Sequence, residues 1–295
     1  MSNHEFLMEH RLRELDPGLH RRFTDTVFAL QRYLTQYQLI FPTYTDHSDL
    51  HSLTVIRFCN ELAGDQILRM NADELYILLM GCYLHDTGMG ITDRNYEEFK
   101  DRIDFGAYPE THDMTDKPVV IRDFHHEFSA CFIRKYAMLL DFPSPEHLRA
   151  VVAVARGHRR TDLLDEETFP RALALPGGNT VCLPYLSALI RLADEIDVAA
   201  ERNPVLLYDM ESMRDAAWQK AADFILTRSI RDLEITPDAF TLKVRLEDES
   251  LRGMLDRLAA KMRITLEDCR RAVNGRTPFT ITQSQVFVRE LPANA

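Results

Sequence analysis

The chain has no CxxC pair, and its five cysteines (Cys59, Cys82, Cys131, Cys182 and Cys269) are scattered and odd in number. That excludes a thiolate zinc site and a disulfide framework, and it points to a reducing, cytoplasmic setting. There is no run of about 18 or more apolar residues, so no helical membrane span is expected. The opening stretch, MSNHEFLMEHRLREL, lacks an apolar segment followed by small residues and does not read as a secretory signal. Positive charge is not in excess either. The net charge is −11, which opposes a large nucleic-acid footprint and leaves room only for a small phosphate pocket. No internal repeat or low-complexity segment is present, and the single tryptophan, Trp218, reads as core.

What is present is ordinary globular composition, 45% hydrophobic and 27% charged. From about residue 5 to 226 the patterning is almost wholly helical. Helices are expected over Leu19–Phe41, from Ser48, over Ala72–His85 with Asn71 as cap, after Asp123, after Pro145, after Pro184 and over about 211–226. Residues 87–122 and 161–182 resist that reading, apart from a short helix at NYEEFKDR; long irregular segments of this kind often form lids or binding loops. Near residue 228 the pattern changes. SIRDLEI and FTLKVRL alternate around the turn TPDA, a helix covers Leu251–Val273, and SQVFVREL reads as a last strand. The expected fold is therefore mainly α, with a helical domain over 1–227 and a small β-β-α-β appendage over 228–295.

Several polar residues interrupt otherwise apolar helical faces. His51 shares a face with Val55, Phe58 and Leu62. His85, followed at once by Asp86 and a glycine-rich break, ends the apolar run Leu75–Met80. His126 opens a face with Ser129, Ala130 and Ile133; His158 follows Val151, Val154 and Ala155; Asp194 follows Leu186, Ile190 and Arg191. A single histidine in such a place is more often a satisfied core residue. Four imidazoles and two carboxylates on separate helices are better explained by a metal ion, which compensates buried polar groups together. Small residues beside them (Gly81, Ser129, Ala130) would let the helices approach closely.

The stretches HSLTV, YLHDTGMG, HHEFSA, ARGHRR and IRLADEID, spread over about residues 44–203, resemble the HD-domain superfamily of metal-dependent phosphohydrolases, in the branch that holds two metals. That resemblance implies an all-helical bundle and a ligand set of His51, His85, Asp86, His126, His158 and Asp194, with Asp86 bridging the metals. His125 is the alternative to His126, which is preferred because a small residue follows it at the family's spacing. Asp86, His126 and His158 are the expected catalytic residues. His47, one turn before His51, fits either helix capping or a substrate contact, and Asp197 is placed to orient a ligand histidine.

Imidazole and carboxylate ligands suit two divalent transition metals drawn from Mn, Fe, Co, Ni or Zn. Such a pair activates water and stabilises a leaving oxygen. Arg156, Arg159, Arg160, Arg191 and Arg202 flank the ligand motifs, and arginine suits phosphate. Hydrolysis of a phosphate ester or anhydride in a small anionic substrate, a nucleotide, is the expected activity. A GYP stretch is absent after His158, which disfavours a cyclic dinucleotide. YTDHSDLHS, GHRRTDL and LADEID look more like HD-CE-type bacterial domains of conflict and signalling systems, a resemblance that implies a regulatory nucleotide and an ATPase or a second copy of the chain as partner. The competing readings are an HD-type di-iron oxygenase and a non-catalytic nucleotide-sensing module.

Overall fold

The computed structural model describes residues 6–41, 48–159, 161–198, 226–227, 229–246 and 248–292. The helix expected over 211–226, apart from its last residue, and Trp218 lie outside the described residues. The protein is mainly α with a small C-terminal sheet, as its patterning predicts.

Helix α1 (Leu7–Leu15) and helix α2 (Pro17–Leu34) meet at Asp16, whose carboxylate accepts from the N–H groups of Gly18 and Leu19 and caps α2. The single helix expected over Leu19–Phe41 is thus two pieces. It starts earlier, at a Pro that fits the first helical position, and it breaks before the short α3 (Tyr37–Ile40). Ser48 caps α4 (Asp49–Ala63) as expected. Asn71 and Glu74 form a capping box at the start of α5 (Ala72–Leu84). Helix α5 is buried on all sides, as a helix without a polar face must be. The short helix predicted at NYEEFKDR is α6 (Asp93–Lys100), and α7 (Tyr108–Thr111) is one turn.

Helix α8 (Lys117–Lys135) begins well before Asp123, capped by Asp116, and contains a non-helical residue, Phe124, at φ −116° and ψ 16°. Ser144 caps α9 (Pro145–Gly157). A small antiparallel hairpin, β1 (Leu173–Ala174) and β2 (Thr180–Val181), leads into α10 (Leu183–Ile196). Then β3 (Ile230–Ile235) pairs antiparallel with β4 (Ala239–Val244), helix α11 (Arg252–Val273) crosses over, and β5 (Gln285–Glu290) returns parallel to β4. The buried stripe of α11 (Leu255, Ala259, Met262, Leu266 and Cys269) recurs at helical spacing. The helix packs on α10 and on β5, and Lys261 pairs with Glu195 at 2.9 Å.

Helix α5 is the centre of the bundle, packed by α1, α2, α4, α9 and α10. Gly81 permits close approach of α9 and α10: a Cβ there would lie 2.7 Å from Ile190 Cδ1 and 2.9 Å from Val154 Cγ1. The starts of α5 and α9 are strapped together. Asp73 Oδ1 accepts from His147 Nε2 at 2.8 Å, and Asp73 Oδ2 accepts from Asn179 Nδ2 at 2.8 Å. Burial alone would raise the Asp73 carboxyl, but these hydrogen bonds outweigh it and hold the group below its ordinary value. A depressed carboxylate stabilises the fold above its unfolded pKa, and that contribution is lost as acid protonates it through the folded value. Asp73→Ala, which strands a buried imidazole, should cost about 2–3 kcal/mol in urea unfolding at pH 7. Asp73→Asn should recover part of that, and a loss below about 0.5 kcal/mol in the alanine variant would show that the strap adds little.

Candidate metal centre

Three helices end at one place. His85 is the C-cap of α5, His158 the C-cap of α9, and Asp194 and Asp197 close α10. Helix C-termini carry partial negative charge, so their convergence favours a cation. His51 arrives from the first turn of α4, and His125 directly follows the break at Phe124 in α8. Neighbouring helical side chains diverge by about 100°. The chain leaves helical geometry at Asp86 (φ −103°, ψ 8°), and this lets His85 and Asp86 face one centre, with Nε2 and Oδ2 3.4 Å apart.

The donors form two triads, His51 with His85 and Asp194, and Asp86 with His125 and His158, each with its ligand atoms within 4.8 Å of one another. Either triad could hold a metal ion. Asp86 joins them. Its Oδ2 lies 3.4 Å from Nε2 of both His51 and His85, and its Oδ1 lies 3.5 Å from His125 Nε2 and 3.7 Å from His158 Nε2. The four imidazoles and Asp86 are buried.

Hydrogen bonds behind the rings set their tautomers. Nδ1 of His85, His125 and His158 donates to the carbonyl three residues earlier, of Cys82 at 2.8 Å, Arg122 at 2.7 Å and Ala155 at 2.5 Å. A carbonyl can only accept, so Nδ1 carries the proton and Nε2 keeps a lone pair. Burial pushes both His125 and His158 well below the ordinary histidine range, against the pull of Asp86, so both are neutral at pH 7. Yet their Nε2 atoms stand 2.9 Å apart. Two lone pairs at that distance with no proton between them repel, and a shared cation removes the conflict. The donor set therefore fits a divalent transition metal. Asp194 belongs to the same balance: burial would raise it, but the hydrogen bond with His51 and the neighbouring His158 and His51 rings together outweigh burial and leave it well below the carboxylate range.

The turn after Asp86 is clamped to α8. Ser129 Oγ donates to the His85 carbonyl at 2.5 Å and accepts from Gly88 N–H at 2.8 Å. Tyr33 Oη donates to the Thr87 carbonyl at 3.0 Å. In the sequence Ser129 stands out only as a small residue. Its hydroxyl is what ties the two ligand-bearing segments together.

Five of the expected ligands, His51, His85, Asp86, His158 and Asp194, are brought together. For the sixth position the structure brings the alternative, His125, rather than the preferred His126 into the cluster. His125 lies one helical turn before Ser129, on the face that meets the His85–Gly88 turn, whereas His126 is rotated off it. Its Nε2 is 3.8 Å from Glu127 Oε1, and its ring lies alongside Phe124. The i, i+4 relation to Ser129 was the available signal. Arg191, expected at a substrate, is turned to the backbone instead, donating from Nε to Gly157 O at 2.7 Å and from Nη2 to Thr161 O at 2.8 Å. Arg156 donates to Glu127 at 3.0 Å. Arg159 keeps a buried Nε without a hydrogen-bond partner, and its charge reaches His125. His47, Arg160 and Arg202 lie outside the described residues.

No helix among the described residues is long and apolar enough to cross a membrane. No curated protein and no solved structure gives a significant match to the chain. The HD-CE family model, however, matches residues 41–277. That span takes in both triads and the clamp between them, and on it the chain belongs to the HD-CE family of HD-type domains.

Proposed function

We propose that this protein is a metal-dependent phosphohydrolase acting on a phosphate ester or anhydride, with a nucleotide as substrate. The observation that carries the reading is Asp86, which turns one carboxylate oxygen to each triad. A shared carboxylate between two N/O donor sets suits a pair of divalent ions. When bound, such ions activate water and neutralise charge on a phosphoryl group. The protein's own groups supply the rest. The Nδ1 bonds of His85, His125 and His158 aim Nε2 inward and keep the rings from rotating. His125 and His158 stay neutral and so remain available as donors at neutral pH. Arg159, with its unpartnered Nε beside the His125 triad, suits the phosphate, since guanidinium recognises phosphoryl oxygens bidentately.

The test is turnover of a panel of cyclic mononucleotides, nucleoside mono- and triphosphates and dinucleoside polyphosphates with Mn added, under anaerobic conditions. Release of phosphate or nucleoside product supports the reading and names the substrate class. Silence throughout the panel, with oxygen uptake by the iron-loaded protein on a polyol or phosphonate, would replace it with an HD-type oxygenase.

A further inference from the structure

The two triads share Asp86 but differ in everything behind it. His85, His125 and His158 each rest Nδ1 on a neutral backbone carbonyl. His51 alone rests Nδ1 on a carboxylate, Asp197 Oδ2, at 2.6 Å, and both residues are buried. The end of α10 makes this possible. Asp197 leaves the helix at φ −79° and ψ 70°, so two carboxylates three residues apart grip one imidazole from opposite sides. Asp194 Oδ1 stands 3.4 Å from His51 Nε2, and Asp197 holds the far nitrogen.

Charge follows the same division. The His51 triad has its own carboxylate ligand, a share of Asp86, and Asp197 behind it. A carboxylate behind a ligating imidazole raises its basicity and strengthens its bond to a metal. The His125 triad shares Asp86 but has no carboxylate ligand of its own among the described residues, and Asp194 reaches its His158 only through space. Two arginines adjoin that side: Arg122, whose carbonyl accepts from His125 Nδ1 at 2.7 Å, and Arg159, which directly follows His158. The first side is therefore the more negative of the two and the better site for a cation.

We infer that the two half-sites are unequal and load in order: the His51–His85–Asp194 side takes its divalent ion first and keeps it, with Asp197 as the positioning residue that makes it tight. The Asp86–His125–His158 side holds an exchangeable ion. An anionic group entering the centre is drawn to that second side, beside Arg159. This last point rests on the phosphohydrolase reading; the loading order does not.

The experiment is binding of Mn to the metal-stripped full-length protein, followed by calorimetry and by the electron paramagnetic resonance of Mn, with metal content measured after desalting. Two steps are expected, the first at least about tenfold tighter than the second, with about one ion per chain surviving desalting. The Asp197→Asn variant keeps a hydrogen-bond acceptor for His51 but removes the charge. It should weaken the tight step about 10–100-fold and move the loose step by less than about threefold. Asp197→Glu, which restores the charge, should recover part of the loss, and circular dichroism checks that each variant folds. Two ions of equal affinity lost together, or an Asp197→Asn effect confined to the loose step, would overturn the inference. Because no turnover is read, failure of the phosphohydrolase reading leaves the result interpretable. Ordered loading with no hydrolysis refutes the activity alone, and hydrolysis with two equal ions refutes the order alone.

Discussion

Asp86→Ala should lower turnover by about three orders of magnitude or more and should abolish the looser of the two metal-binding steps while weakening the tighter one. The expectation follows from position. Among the described residues Asp86 is the one whose two oxygens face different triads, so its loss removes a ligand from both sides at once. The triad His51, His85 and Asp194 keeps three donors of its own. The other side falls to two imidazoles, His125 and His158, whose Nε2 atoms repel at 2.9 Å without a shared cation. Metal analysis and turnover should therefore fall together. A variant that retained both metals and full activity would remove Asp86 from the bridge and with it the two-metal reading.

The second large effect is expected away from the ligands. In Gly88→Ala the added Cβ would sit 2.1 Å from the His125 carbonyl oxygen, 2.7 Å from Ser129 N and 2.9 Å from Ser129 Oγ. Two of those three atoms are backbone and cannot swing aside. Overpacking typically costs about 1–3 kcal/mol, and a clash with fixed backbone belongs at or above the upper end. A drop in melting temperature of about 5–10 °C is expected. Metal affinity should fall with it, because relief of the clash must push α8 from the Asp86 turn and carry His125 away from Asp86. Gly253→Ala is the comparison: a Cβ there would meet only Arg257 Nη1 at 3.6 Å, and the change should be neutral or stabilising. Equal behaviour of the two variants would mean that the clamp is loose.

Much of this was legible in the sequence because it is local. The caps at Ser48 and Asn71, the buried run of α5 and the alternation of β3 and β4 are each written in a few neighbouring residues. The faces carrying His51, His85, His158 and Asp194 were legible for the same reason, since an apolar helical face records each interruption. Two features were not. The break at Phe124 carries neither proline nor glycine; it is imposed by packing, and without it the choice between His125 and His126 rested on a small-residue spacing that both nearly satisfy. Arg191 reads as a phosphate ligand from its place beside Asp194, but its actual partners, Gly157 and Thr161, lie on another segment. The hinge between α2 and α3 at Thr35–Gln36 is likewise unmarked by any helix breaker.

The strap between Asp73 and His147 has a mechanical consequence. Along α5 and α9 the strap residues Asp73 and His147 precede the candidate ligands His85 and His158 by 12 and 11 residues, distances of roughly 18 and 17 Å. Each behaves as a rod pinned at one end with a candidate metal donor at the other. A tilt of about 5° at the pin swings the donor by roughly 1.5 Å, and a misplacement of about 1 Å can cost about a hundredfold in rate. Substitutions at the far ends of these rods touch no ligand, yet they should weaken metal binding and lower rate together.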